Sequence, residues 1–144
     1  MSINDRVNLR LKKLLQYVKK LKKYQEITSD ELIKDSDKRD IIERNLHLAC
    51  EIVIDTANSL NSEFHLTPPT DNKFAIMTLG EAGILEKKFA DELSGLAPFR
   101  NVLVHDYLEL DYEIVVDVLN NKLDDFVKFS QIIAEFLQKN SSAE

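Results

Sequence analysis

The chain has 144 residues, of which 44% are hydrophobic and 31% charged, the balance of one globular domain. With three glycines, three prolines and no tryptophan, it is unlike β-sandwiches, collagen-like chains and disordered linkers, and long helices are expected. Its single cysteine, Cys50, excludes an intrachain disulfide and a cysteine-based zinc site. No apolar run reaches the roughly 18 residues of a membrane helix, and the N-terminus lacks the apolar segment of a signal peptide. We therefore expect a cytoplasmic protein.

Positive charge is concentrated at the start of the chain. Residues 1–26 hold eight basic and two acidic side chains, a net charge of +6, whereas the rest holds 11 basic and 23 acidic ones, a net charge of −12, so that the whole chain carries −6. A solvated helix face accounts for most clusters of this kind. The functional alternative is a docking surface for RNA or for an acidic partner.

Apolar residues at helical spacing predict a first helix with lysines on its opposite side. Thr28 and Glu31 have the spacing of a capping box and predict a short second helix over roughly 29–35. A long third helix is predicted from about Asp37 to Asn61. The positions expected to face the core are Ile3, Val7, Leu11, Leu14, Val18 and Leu21 in the first helix and Ile42, Leu46, Ala49, Val53, Ala57 and Leu60 in the third.

The main loop is predicted around the tandem prolines at 68–69, because consecutive prolines cannot continue a helix. Thr70 and Asp71 can cap the next helix, which should run to about Gly80 or Gly83. Helical spacing then resumes and is interrupted again before residue 100. The residues of this stretch are Ile84, Phe89, Leu93 and Leu96, with Gly95 and Pro98 as the interruption.

Pro98 fits the first turn of a new helix, where its missing N–H costs nothing. Asp111 is predicted to cap one final helix, whose inward positions are Val115, Leu119, Leu123, Phe126, Ile133 and Leu137. Four long helices plus short ones, joined by short connections, imply an all-α, antiparallel up-down helical bundle. We expect a single domain over residues 1–139 and a frayed tail over 140–144.

Arg100 breaks the apolar pattern. When the apolar positions are continued from Phe89 at heptad spacing, position 100 is one where leucine would be expected. A buried guanidinium needs a partner, and the acidic candidates include Glu43, Glu51 and Asp55. The pair could simply stabilise the bundle. Alternatively, Arg100 could meet His105 at a cleft, although the two lie about 140° apart on an ideal helix. Asn101, four residues before His105, could orient the imidazole.

The run PFRNVLVHDY at 98–107 has the form R-x4-H-x-Y and resembles the signature of the HepT family of HEPN-domain ribonuclease toxins. The helix RNLHLACEIVID at 44–55 and the turn LGEAGIL at 79–85 are similar to the family in position and character. The resemblance implies a HEPN-like helical bundle that forms a homodimer with a composite active site. It further implies RNA cleavage that needs no metal or cofactor. The implied partner is the nucleotidyltransferase antitoxin MntA, which attaches AMP to the motif tyrosine.

Carried to this chain, the motif makes Arg100 and His105 catalytic and Tyr107 both substrate-contacting and the AMPylation site. Histidine can act as general base or acid because its usual pKa of about 6.5 is near the working pH. Arginine suits the phosphorane because its charged fork matches phosphate oxygens. A catalytically inactive HEPN bundle that serves as a docking subunit of a nucleotidyltransferase is the alternative. Asp106 is assigned no role.

Other reactive side chains have structural interpretations. His47 lies between Glu43 and Glu51 at helical spacing and is expected to be hydrogen-bonded or partly exposed. Cys50, on the apolar side of its helix, is expected to be a small core residue and not a nucleophile. The glycines match no nucleotide-binding loop, and no histidine spacing indicates a metal site.

Overall fold

The computed structural model of this protein describes residues 1–66, 68, 70–104 and 110–141. The described residues form eight α-helices and no strand. The helices are α1 (Ile3–Lys22), α2 (Ser29–Lys34), α3 (Ser36–Glu63), α4 (Asn72–Glu81), α5 (Lys87–Leu93), α6 (Leu96–Val104), α7 (Tyr112–Asn121) and α8 (Leu123–Ser141). None of the helices in these ranges is long and apolar enough to cross a membrane.

Helix α3 is the centre of the bundle, since α1, α4 and α6 all pack against it. Helix α1 lies between α3 and α8. Every apolar position predicted to face the core in α3 is fully buried. In α1 the predicted positions from Val7 to Leu21 are buried, and Ile3 is packed against the core at its edge. The all-α helical bundle predicted from the sequence is confirmed.

Side-chain caps start the helices where the sequence predicts them. Thr28 Oγ1 accepts from the backbone N–H of Glu31 at 3.2 Å at the start of α2. Asp71 Oδ1 accepts from the N–H of Phe74 at 2.7 Å at the start of α4. Asp111 Oδ1 caps α7 through the N–H of Glu113 at 3.0 Å. Each cap satisfies one of the backbone donors that a helix start leaves without a partner.

The predicted single helix after Asp111 is wrong, because it is divided at Lys122 into α7 and α8. Apolar spacing continues through the break, so periodicity does not reveal it. The cause is a tertiary contact: Asn120 Oδ1 accepts from the backbone N–H of Glu26 at 2.7 Å, and Asn120 Nδ2 donates to the carbonyl of Ile27 at 3.3 Å. These bonds hold the end of α7 on the turn after α1, while α8 follows α1 itself.

As predicted, helical structure is interrupted at Gly95, which lies between α5 and α6, and α4 ends at Glu81, next to the predicted Gly80. Gly83 has φ of +77°, a conformation that suits glycine, and the chain turns there between α4 and α5. A Cβ on Gly80 would lie 2.8 Å from the Cβ of Ala90, so α4 and α5 approach each other closely at this point. This glycine allows the two short helices to pack.

Candidate functional site

Helix α6 carries Arg100 to the flank of α3. Its apolar side is buried, with Phe99 and Leu103 each 8% exposed, and this side attaches α6 to α3. Pro98 lies in the first turn, as predicted. Arg100 comes directly after Phe99, and its side chain is 23% exposed. The arginine in the apolar pattern is therefore a half-buried side chain at the edge of the core.

Glu51, one of the three predicted candidates, is an ion-pair partner of Arg100. Arg100 Nε lies 2.8 Å from Glu51 Oε1. Although the distance is short, the buried Nε–H does not have hydrogen-bond geometry toward this oxygen, so the contact is an ion pair without a directed bond. The guanidinium is thereby neutralised on the side that faces α3.

His47 approaches the same carboxylate oxygen from one turn earlier in α3. Its Nε2 lies 3.1 Å from Glu51 Oε1, and the imidazole is 26% exposed. The prediction that His47 is a hydrogen-bonded, partly exposed helix residue is confirmed. Glu51 thus holds two side chains from two helices and fixes where the guanidinium of Arg100 lies.

Asn101 contacts Arg100 in the structure. Its Oδ1 accepts from Arg100 Nη1 at 3.1 Å, and the contact is exposed to solvent. His105, which Asn101 was predicted to orient, lies outside the described residues, as do Asp106 and Tyr107. Within the described ranges, the contacts with Glu51 and Asn101 engage at most two of the five guanidinium N–H groups.

A stripe of polar residues continues along α3 from this point. We call His47, Glu51, Asp55 and Ser59, which recur at every fourth position, the α3 polar stripe. Partial burial, followed by the Glu51 carboxylate, raises the pKa of Asp55, and Arg10 and Arg100 oppose the shift. Both guanidinium groups therefore act on the same carboxylate.

Arg10, a residue that the sequence did not single out, attaches α1 to this stripe. Its Nη1 donates to Ser59 Oγ at 2.9 Å, and the residue is half-buried. The four-residue spacing of polar side chains on α3 was visible in the sequence, but the helix that faces it was not. The site consequently has a second arginine that comes from the basic first helix.

Cys50 is fully buried beside the site and forms no disulfide. Burial, more than the neighbouring Glu51, raises the pKa of its thiol, so the sulfur stays protonated near neutral pH. The prediction that Cys50 is a core residue is confirmed. In the part of the chain that is described, no group of three or more histidine, cysteine, aspartate or glutamate side chains could hold a metal ion.

Comparisons with known proteins identify the family of this chain. The family model of ribonuclease HepT-like proteins matches residues 14–133. The mRNA nuclease HepT of Shewanella oneidensis is 31% identical over 115 residues, which are 78% of this chain and 86% of that protein. The tRNA nuclease HepT of Aphanizomenon flos-aquae is 26% identical over 131 residues, which are 91% of this chain and 89% of that protein.

A solved structure shows the tri-AMPylated HEPN toxin of Shewanella oneidensis in complex with its MNT antitoxin. The toxin superposes with a TM-score of 0.75 at 26% identity, covering 92% of this chain and 97% of the other. The family resemblance seen at 98–107 is therefore matched along most of the chain, in sequence and in fold. This chain belongs to the ribonuclease HepT-like family.

Proposed function

We propose that this protein is the toxin of a type VII-like HepT/MntA toxin–antitoxin pair and acts as a metal-independent endoribonuclease. The observation that carries the proposal is the ion pair between Arg100 Nε and Glu51 Oε1, which are 2.8 Å apart. Arg100 lies in α6, and the motif histidine follows this helix in the sequence. The nuclease names of two relatives support an RNA substrate. The chain's own residues supply the groups that this chemistry needs.

RNA cleavage without a metal requires a base for the ribose 2′-OH, an acid for the leaving 5′-oxygen and a cation for the phosphorane. In the proposed mechanism, Arg100 binds the phosphate oxygens and stabilises the charge that develops on them. His105 takes or returns the proton, and Tyr107 contacts the substrate. Asn101 supports the site through its hydrogen bond with Arg100.

The motif supplies one histidine per chain, whereas the reaction needs both a base and an acid. A homodimer in which two motif segments face each other would supply two histidines to one composite site. Each His105 would then perform one of the two proton transfers. The dimer is part of the proposal, because it explains how a single R-x4-H-x-Y segment per chain can serve both steps.

Regulation would act at Tyr107. An MntA-like nucleotidyltransferase would transfer AMP from ATP to the phenol oxygen, forming a phosphodiester and releasing pyrophosphate. The adduct carries negative charge at the place that the RNA phosphate must occupy, so RNA binding is lost. The AMPylated state of a structural relative, in complex with its antitoxin, supports this part of the proposal.

Purified protein, made without a nucleotidyltransferase partner and with unmodified Tyr107 verified by mass, tests the proposal. We would measure cleavage of several RNA classes in excess EDTA and compare the wild type with His105→Ala and Arg100→Ala. We expect cleavage by the wild type and a loss of at least about 100-fold in both variants. Lys88→Ala, which removes an exposed charge on α5, should cleave normally.

Equal cleavage by all proteins would show a contaminating nuclease or another site. Cleavage that EDTA abolishes would contradict metal independence and leave the RNase assignment in place. Absence of cleavage in every protein would favour the alternative, a HEPN bundle without catalysis that docks a nucleotidyltransferase.

A further inference from the structure

The basic side chains of α1 do not form one surface, because they lie on two flanks of the helix. Successive residues turn by about 100°, which places Arg6, Arg10 and Lys13 within about 60° of one another. We call these three residues the basic edge. Half-buried Arg10 lies next to the buried side of α1, and exposed Arg6 and Lys13 lie farther toward solvent. Arg10 shows which neighbour this edge faces, since it bonds to Ser59 of α3 at 2.9 Å.

The other flank of α1 faces α8. Lys22 lies 3.7 Å from Asp124, which follows the first residue of α8. Lys12, about 160° round the helix from Arg10, is on the side away from the basic edge. Both Lys12 and its neighbour Lys13 are exposed lysines, so they differ mainly in the flank that they occupy.

The basic edge lies beside the α3 polar stripe that also holds Arg100. Arg10 contacts the stripe at Ser59 and Arg100 contacts it at Glu51. These positions are eight residues apart, about 12 Å along the helix axis. A stacked single strand covers this distance with about four nucleotides. Both arginines interact electrostatically with Asp55, which lies between their contact points.

We propose that the surface where the basic edge meets the α3 polar stripe is a binding site for the RNA strand, and that Arg10 and Lys13 bind phosphates of this strand within about four nucleotides of the phosphate held by Arg100. This inference rests on the proposed RNA-cleaving function and names the path of its substrate. The half-buried Arg10 is preorganised by Ser59, so a planar guanidinium already lies at this surface. Arg6, one turn before it, extends the positive charge at the same edge.

The two carboxylates of the stripe affect the strand differently. Glu51 is engaged by Arg100 and His47, so its charge is compensated where the phosphate of the scissile bond would bind. Asp55 is exposed between the two arginines and makes this surface less attractive to RNA. The proposal therefore predicts opposite effects on RNA affinity for changes at Arg10 and at Asp55.

The test measures binding of a single-stranded oligoribonucleotide to His105→Ala protein, so that the RNA stays intact, between 50 and 200 mM salt. Each lost phosphate contact lowers the slope of log affinity against log salt by about 0.7. We expect this decrease in Arg10→Ala and in Lys13→Ala. When salt rises from 50 to 200 mM, the fold-loss of affinity should therefore be about 2.6 times smaller in each variant than in the parent protein. Asp55→Asn should bind more tightly than the parent.

Two controls separate the strand path from folding and from total charge. Lys12→Ala removes the same charge from the neighbouring position and should keep the slope of the parent protein. Ser59→Ala removes the hydrogen bond of Arg10 but keeps the guanidinium, so it should keep the slope as well. Arg10→Lys, which retains the charge, should restore most of the slope that Arg10→Ala loses.

The inference would be overturned if Arg10→Ala and Lys13→Ala had the same slope as Lys12→Ala. It would also be overturned if Asp55→Asn bound RNA more weakly than the parent protein. If Arg100→Ala still abolishes cleavage in that case, the proposed ribonuclease function stands without this strand path. If the wild type cleaves no RNA and the parent protein binds none, both proposals fail together.

Discussion

Glu51 and Arg100 come from different helices, and their contact of 2.8 Å joins the middle of α3 to α6, the last helix before the motif histidine. The same oxygen of Glu51 lies 3.1 Å from His47 Nε2. The position of the guanidinium is therefore set by α3 as much as by α6. In the proposed reaction, Glu51 is a positioning residue that does not itself touch the RNA.

Glu51→Gln should lower kcat and leave KM unchanged or lower. The amide keeps the shape but loses the charge that holds Arg100, and a misplaced catalytic group costs up to about 100-fold, so we expect a decrease of roughly 10- to 100-fold. KM should not rise, because the surroundings of Arg100 become more positive. Steady-state cleavage of a defined RNA measures both constants.

Glu63→Gln, at an exposed position near the end of α3, is the matched control and should have normal kinetics. Because only about a quarter of each side chain in the Glu51–Arg100 pair is exposed, loss of the carboxylate charge leaves a half-buried guanidinium without its partner, and we expect a stability loss of roughly 1–3 kcal/mol. A higher KM at unchanged kcat would mean that Glu51 acts in substrate binding and not in positioning.

Mixed dimers test whether the two motif histidines share one reaction. If each His105 performs one proton transfer in a composite site, a dimer with one His105→Ala subunit should have far less than half of the wild-type activity. Differently tagged subunits, purified as the mixed species, allow RNA cleavage to be measured per dimer. A mixed dimer that keeps half or more of the activity would show that each subunit works alone.

The sequence predicts the buried side of each long helix well, because apolar spacing directly reports which face meets the core. Val7 through Leu21 in α1 and Ile42 through Leu60 in α3 follow this rule. The break at Lys122 is different. The spacing from Leu119 to Leu123 is helical, and it does not report the bonds that join the turn after α1 to Leu119 and Asn120 at the end of α7.

The same distinction applies to the site. The sequence could identify Arg100 as unusual and could name Glu51 among its possible partners, because a half-buried guanidinium needs a carboxylate. Which carboxylate it meets depends on how α6 crosses α3. The bond between Arg10 and Ser59 joins residues 49 positions apart, so helical periodicity within either helix carries no information about it.

Gly80→Ala should destabilise the protein, although alanine is the better helix former. A Cβ at Gly80 would meet the Cβ of Ala90 at 2.8 Å and the Cα of Lys87 at 3.2 Å, so α4 and α5 would have to separate. Overpacking costs about 1–3 kcal/mol, whereas the gain in helix propensity is about 1 kcal/mol. The net loss in the free energy of unfolding, measured with urea, should be up to roughly 2 kcal/mol.

Gly95→Ala provides the comparison for that experiment. An added Cβ there would lie 3.4 Å from the carbonyl oxygen of Glu92, an ordinary contact distance. Its free energy of unfolding should change by less than about 1 kcal/mol, with a gain possible from the less flexible unfolded chain. Equal losses at both glycines would mean that the close approach of α4 and α5 is not what Gly80 provides.

Asp55→Asn should stabilise the protein at neutral pH, and the gain should shrink in acid. Partial burial and Glu51 raise the pKa of Asp55 above 3.8, so the folded state binds this proton more tightly than the unfolded state. Stability therefore falls as pH rises through the interval from 3.8 to the raised pKa, and the full penalty is present at pH 7. Asparagine carries no such penalty at any pH.

Thermal unfolding from pH 3 to pH 7 measures this difference. Because Asp55 is exposed to solvent, the shift of Tm will be small, and its dependence on pH is the informative quantity. Asp91→Asn, at an exposed position of α5, corrects for the removal of one negative charge from an acidic protein. A loss at pH 7 would show that the arginines on either side stabilise the Asp55 carboxylate by more than its partial burial costs. A gain that is the same at both ends of the pH range would show that it does not come from the charge of Asp55.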